Sequence, residues 1–141
     1  ETTYEAMMKG IEKIKPGNTF GDIGNAIQVY AEKKNYSIVR DFCGHGLGKV
    51  FHDHPSVLHF GKPGEGELLQ EGMFFTVEPM INIGDYKVKV LSDGWTAVTS
   101  DKSLSAQFEH TVGVTKTGYE IFTLSKKNFK FPPYTKNDSK I

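Results

Sequence analysis

The run Met73-Phe74-Phe75-Thr76-Val77-Glu78-Pro79-Met80-Ile81-Asn82-Ile83 is apolar almost throughout and carries one charge, Glu78. It reads as a strand. Side chains of a strand alternate between faces, which puts Phe74, Thr76 and Glu78 on one side and Phe75, Val77 and Pro79 on the other. A run this apolar is expected to be covered on both faces, so Glu78 would be buried. A buried carboxylate is costly unless it is protonated, ion-paired or bound to a metal. Arg40 is the sole arginine of the chain, which leaves lysine as the main ionic alternative to a metal.

Downstream of this run, residues 86–91 and 95–99 flank Ser92-Asp93-Gly94, and residues 105–115 and 119–124 flank Lys116-Thr117-Gly118. Both are hairpin signals. Upstream, residues 36–42 form a short β-type run, preceded by two helical patterns. Thr2-Thr3-Tyr4-Glu5 reads as a capping box with Thr2 as N-cap. Tyr4, Met7, Met8, Ile11 and Ile14 then recur at helical spacing until Lys15-Pro16-Gly17 stops the helix. A second helix starts at Thr19-Phe20-Gly21-Asp22, buries Ile23, Ala26, Ile27, Tyr30 and Ala31, and closes at Lys33-Lys34-Asn35. Both apolar stripes are too rich for isolated exposed helices, so both are expected to lie on a sheet. Two helices followed by hairpin-linked strands predict an α+β fold with a mostly antiparallel sheet.

The 141 residues suffice for one domain with a real core. Seventeen Lys and Arg balance 17 Asp and Glu, so no net field draws the chain to nucleic acid or an anionic membrane. A single arginine offers almost no bidentate readout of phosphate or guanine. DNA binding is thereby disfavoured. No apolar run approaches the roughly 18 residues of a membrane span, and no signal segment opens the chain. The lone Cys43 cannot form an internal disulfide, which fits a reducing, cytoplasmic compartment. The Asn137-Asp138-Ser139 sequon is then a chance match. Residues 1–125 are expected to form the domain, with 61–72 as a surface loop. Residues 126–141, with five lysines and Pro132-Pro133, are expected to be a poorly ordered tail. The chain opens with Glu1, and its first methionine, Met7, falls inside the first expected helix, as in a segment of something longer.

Four of the five histidines, His45, His52, His54 and His59, lie close together in sequence. Gly44, Gly46 and Gly48 bracket His45, and glycine permits positive φ or close backbone approach, so a tight loop can present the imidazole to a site. The alternative is a solvated Gly/His-rich loop. The glycine spacing matches neither GxGxxG nor Walker A, and no helix follows it. In Ser105-Ala106-Gln107-Phe108-Glu109-His110-Thr111-Val112, alternation puts Gln107, Glu109 and Thr111 on one face. Glu109 and His110 therefore cannot share a site unless a bulge intervenes, and His110 reads as a hydrogen-bonded structural histidine. His45, Glu78 and Glu109 make a hard/borderline donor set of the kind that Zn, Mn, Fe or Co uses in hydrolases. A rival is Cys43 paired with His45 or His52 as a nucleophilic hydrolase, although no cysteine-protease signature surrounds it. Phe51 and Trp95 are core candidates that could also wall an apolar pocket.

Cys43-Gly44-His45-Gly46-Leu47-Gly48, Phe51-His52-x-x-Pro55, Thr76-Val77-Glu78-Pro79-Met80 and Ser105-Ala106-Gln107-Phe108-Glu109-His110-Thr111 together resemble type I methionine aminopeptidases of bacterial kind. The resemblance runs from Tyr4 to about Leu124. The short stretch from His52 to Glu78 leaves no room for the insertion of type II enzymes, and prolidase-like relatives usually carry Glu-Pro-Gly where Glu78-Pro79-Met80 stands. The resemblance implies half of a pita-bread fold, two helices on a curved, mostly antiparallel sheet. It also implies removal of N-terminal methionine from nascent polypeptides by two divalent ions (Co, Mn, Fe or Zn). His45, Glu78 and Glu109 correspond to metal ligands, with Glu109 bridging and Glu78 also accepting a proton. His52 corresponds to a histidine contacting the substrate amide, and Phe51 and Trp95 to walls of the methionine pocket. Asp53-His54 departs from the family's usual Glu-Glu, and His54 is expected to be exposed.

The family's two aspartate ligands, a further histidine and part of its pocket come from a segment upstream of residue 3. Asp22, Asp93 and Asp101 read as cap, turn and loop residues and cannot replace those aspartates. The 141 residues alone are therefore expected to be inactive. The implied partners are peptides with N-terminal methionine, with the ribosome a further candidate, and the complete enzyme is expected to be monomeric. The runner-up function is a non-catalytic pita-bread module that binds peptides. Retention of His45, Glu78 and Glu109 argues for the enzyme.

Overall fold

The computed structural model describes residues 1–125. The expected tail and the 137–139 sequon lie outside the described residues. Helices α1 (Thr2–Ile11) and α2 (Phe20–Lys33) precede ten short strands: β1 (Ser37–Ile38), β2 (Gly44–Gly46), β3 (Asp53–Val57), β4 (Phe74–Val77), β5 (Met80–Asn82), β6 (Val88–Val90), β7 (Ala97–Thr99), β8 (Ser105–Gln107), β9 (His110–Val114) and β10 (Tyr119–Ile121). They form antiparallel sheets in the orders β10-β9-β4-β2-β3, β1-β5-β8 and β6-β7. The α+β class and both hairpins are as the sequence implies. No described helix is long and apolar enough to cross a membrane.

The helices differ at their starts. Thr19 and Asp22 form the expected capping box: Oγ1 of Thr19 accepts from the Asp22 N–H, and Asp22 Oδ2 accepts from the Thr19 N–H at 2.7 Å. The box expected at Thr2 is absent. Glu1 is the N-cap and no side chain caps it. Glu5 instead accepts from the Tyr30 hydroxyl at 2.5 Å and Lys34 Nζ at 2.9 Å. Two charge-assisted partners, Tyr30 on α2 and Lys34 just beyond its end, outcompete one backbone N–H. α1 also ends at Ile11, short of Lys15, although single turns carry the chain on to a buried Ile14.

One core joins the layers. Met7, Ile11, Ile23 and Ile27 of the helices meet Val57, Phe75, Val77, Ile81 and Val112 of the sheets. Phe75, fully buried, stands edge-to-face on Phe20 with centroids 4.9 Å apart. Its neighbour Phe74 is 48% exposed, as alternation requires.

Three expected strands are cut short. Only Ser37 and Ile38 of residues 36–42 pair in a strand, and the runs 73–83 and 105–115 each break in two. The breaks coincide. Val77 pairs with His110 and Met80 with Gln107. The register is the same on both sides, so Glu78 stands opposite Glu109 and Pro79 opposite Phe108. Pro79 has no N–H to donate, and the ladder fails there. At this junction the paired chains pass from the five-stranded sheet into the three-stranded one.

Candidate metal centre

Gly44-His45-Gly46 is a strand between β3 and β4, not the tight loop expected from its glycines. Neither Gly44 nor Gly46 has a left-handed φ. Their role is close packing: a Cβ at Gly44 would collide with the Thr76 carbonyl oxygen, and one at Gly46 with that of His54. The glycines let three backbones approach and hold His45 between them.

His45 Nδ1 donates to the Gly46 carbonyl at 3.0 Å. A carbonyl can only accept, so Nδ1 carries the proton and Nε2 is the atom turned to Glu78. Nε2 lies 3.7 Å from Glu78 Oε1, with the two side chains 12% and 18% exposed. Glu78 is thus half-buried and not sealed on both faces as expected. Its carboxyl sits above the usual carboxylate range, chiefly because burial disfavours the charge. The Glu109 carboxylate pushes the same way, against the Thr76 hydrogen bond and the nearby His45 and His52.

Sequence reasoning missed three supports. The buried Thr76 hydroxyl donates to Glu78 Oε1 at 2.6 Å and accepts from the His45 N–H at 2.9 Å, joining both candidate ligands. Gln107 Nε2 donates to the Glu78 carbonyl at 3.2 Å. The Glu78 N–H donates to Nε2 of His59 at 3.0 Å. Alternation had put Thr76 on the face of Glu78, but no local signal links His59 or Gln107 to it.

His52 stacks its ring edge on His45, with centroids 4.4 Å apart, and Phe51 lies 5.3 Å from His45 and 4.7 Å from His52. Phe51 is 70% and Trp95 89% exposed, so neither belongs to the core. Trp95 stands where the chain turns between β6 and β7, its backbone N–H donating to Asp93 Oδ1, and shares no ring contact with the histidines among the described residues. His54 is exposed as expected and donates to Glu67 at 3.0 Å. His110 behaves as a structural histidine, sharing a 2.8 Å hydrogen bond with Thr123 and an edge contact with Tyr4. No hydrogen bond ties Cys43 to His45 or His52 among the described residues, which leaves the cysteine–histidine rival without support.

Glu109 is exposed, and among the described residues no three His, Cys, Asp or Glu side chains converge closely enough to hold a metal ion. The chemistry of the donors nevertheless fits a divalent cation. Two carboxylates oppose one another across the strands, where like charges repel, and an imidazole Nε2 stands beside one of them. A cation relieves that repulsion.

His59 gives this site a pH dependence. It is 1% exposed, and burial lowers its pKa from the ordinary 6.5 to about 4. Below about pH 6.5 the unfolded chain takes up a proton that the folded one refuses. Stability should therefore fall as pH drops from about 6.5 to about 4, by about 3 kcal/mol in total. Urea midpoints at several pH values, wild type against His59→Gln, should differ in slope across this window. Parallel curves would show that His59 titrates normally in the fold.

The profile of metallopeptidase family M24 matches residues 1–116. The methionine aminopeptidase of Rickettsia prowazekii is 66% identical over 136 residues, covering 95% of this chain and 52% of that protein. Methionine aminopeptidase A of Synechocystis is 54% identical over 126 residues, covering 89% of this chain and 50% of its own length. The crystal structure of the Rickettsia prowazekii methionine aminopeptidase matches with a TM-score of 0.86 at 67% identity, covering 87% of this chain and 50% of that one. The chain spans about half the length of the curated relatives it matches.

Proposed function

The chain belongs to metallopeptidase family M24, with the α+β architecture of the pita-bread fold, and from that premise we propose that it serves metal-dependent removal of N-terminal methionine from nascent polypeptides in the cytoplasm. The observation that carries this reading is the junction of the two sheets, where Glu78 faces Glu109 across the strands and His45 Nε2 lies 3.7 Å from Glu78. Such a pairing of like charges destabilises a fold that has no cation to place there.

In this reading His45 Nε2 and the carboxylates of Glu78 and Glu109 hold two divalent ions (Co, Mn, Fe or Zn) together with donors from outside these residues. When bound, the ions supply Lewis acidity and a nucleophile at neutral pH. Thr76 keeps the Glu78 carboxylate in place, and the Gly46 carbonyl keeps the His45 ring in the right tautomer. The Glu78 carboxylate, beside the ions in this reading, would accept a proton from the attacking water. His52, exposed beside His45, donates a hydrogen bond to the substrate amide. Phe51 and Trp95 provide apolar surface for the methionine side chain.

The test uses the polypeptide at its natural length and assays methionine release from Met-Gly and Met-Ala peptides. Release should stop on chelation and return with added divalent metal. Residues 1–141 alone should release none, since three protein donors under-coordinate two ions. His52→Ala should lower kcat and leave metal stoichiometry unchanged. Peptide binding without release under any metal would replace this reading with the non-catalytic binding module. Loss of a metal ion in His52→Ala would make His52 a ligand.

A further inference from the structure

Glu78 sits where its strand ladder fails, and side chains have taken over both of its backbone groups. Its carbonyl accepts from Gln107 Nε2 at 3.2 Å, and its N–H donates to His59 Nε2 at 3.0 Å. His59 lies two residues beyond the end of β3, and its ring is 1% exposed. To accept from an N–H, Nε2 must be unprotonated, so the ring proton resides on Nδ1. The residue beyond Glu78 is proline, which cannot help anchor the chain. Without His59, the part-buried Glu78 N–H would lose this partner, and the peptide plane could turn about the break. A small turn there carries the carboxylate away from His45.

We propose that His59 is a positioning residue for the candidate metal centre: its buried imidazole stands in for the missing ladder acceptor and fixes the main chain of Glu78 so that the carboxylate faces His45. The inference rests on the reading of Glu78 as a metal ligand. His59 itself touches no substrate and binds no metal. It acts only through the Glu78 backbone, while Thr76 holds the other end of the same residue at 2.6 Å. Together they leave Glu78 with little freedom at either end, the preorganisation a ligand needs.

The experiment uses the polypeptide at its natural length, labelled with ¹⁵N, and Mn²⁺ as the probe ion. A coupling across the hydrogen bond between the Glu78 amide nitrogen and His59 Nε2 should be observed in the wild type, and its absence overturns the proposal. Calorimetric titration should show His59→Leu binding Mn²⁺ about 10- to 100-fold more weakly. His59→Gln, whose amide oxygen can accept the same N–H, should recover most of that loss. If His59→Leu does not fold, His59→Met against His59→Gln gives the same comparison, with the same fold-change expected. A folded variant without an acceptor that binds Mn²⁺ as tightly as the wild type overturns the proposal. Glu78→Gln in parallel separates the two levels. Loss of Mn²⁺ binding there beside normal binding in His59→Leu removes only the role of His59. Unchanged binding in Glu78→Gln overturns the reading of Glu78 and the proposal with it.

Discussion

Glu109→Ala should make the metal-free protein slightly more stable while lowering methionine release by the natural-length polypeptide at least about a hundredfold. The two effects have one cause. Glu109 stands opposite Glu78 across the interrupted ladder, and its charge raises the Glu78 pKa. Removing one of two facing carboxylates relieves a repulsion worth about 0.2 to 1 kcal/mol. Glu109 is exposed, so the substitution leaves no cavity to offset that gain. If Glu109 bridges two ions, its loss weakens both. Even a group behind a ligand costs about 10- to 100-fold in affinity or activity, so the direct bridge should cost at least about a hundredfold at saturating metal. Thermal unfolding in chelator, metal stoichiometry and kcat measured on one preparation distinguish the possibilities. A structural role predicts lower stability with normal stoichiometry. Near-normal turnover at saturating metal would remove Glu109 from the bridging position.

Phe75→Ala should cost about 3 to 5 kcal/mol, a large share of a typical domain's stability. Phe75 is fully buried in the central strand β4 and packs edge-to-face on Phe20 at the start of α2. Its truncation opens a cavity between the helix layer and the sheet and loses an aromatic pair worth about 0.5 to 1.5 kcal/mol in addition to area. Phe74→Ala, one residue away, should cost about 1 kcal/mol or less, because that ring is 48% exposed and, among the described residues, its one aromatic contact is Phe122. Denaturant midpoints of the two variants test which face of β4 meets the helices. Equal losses would mean that the alternation has been assigned to the wrong faces.

Much of the fold could be read locally. The Thr19–Asp22 capping box, the apolar spacing of both helices, the turns at Ser92-Asp93-Gly94 and Lys116-Thr117-Gly118, and the separation of Phe75 from Phe74 all depend on residues a few positions apart. So does the motif likeness, because Gly44-His45-Gly46 and Thr76-Val77-Glu78-Pro79 are contiguous. The errors arose where a local preference had a distant competitor. Glu5 could cap its own helix, yet it serves Tyr30 on the next helix and Lys34 at that helix's end. Gly44 and Gly46 suggested a turn, and instead they admit neighbouring strands. Phe51 and Trp95 were apolar enough for the core, and both lie exposed.

What the sequence by itself determined is the element order, the hydrophobic face of each element and the choice of His45, Glu78 and Glu109 as candidate donors, because periodicity and side-chain chemistry are properties of neighbouring residues. Only the tertiary structure decided that two long runs break at the same level, that Glu78 stands opposite Glu109 there, and that Thr76 and His59 hydrogen-bond to Glu78. Those facts depend on sheet register and on partners 19 and 31 residues apart along the chain. Register is set by which faces are buried together and by where Pro79 withholds a hydrogen bond, and neither takes effect until the strands have met.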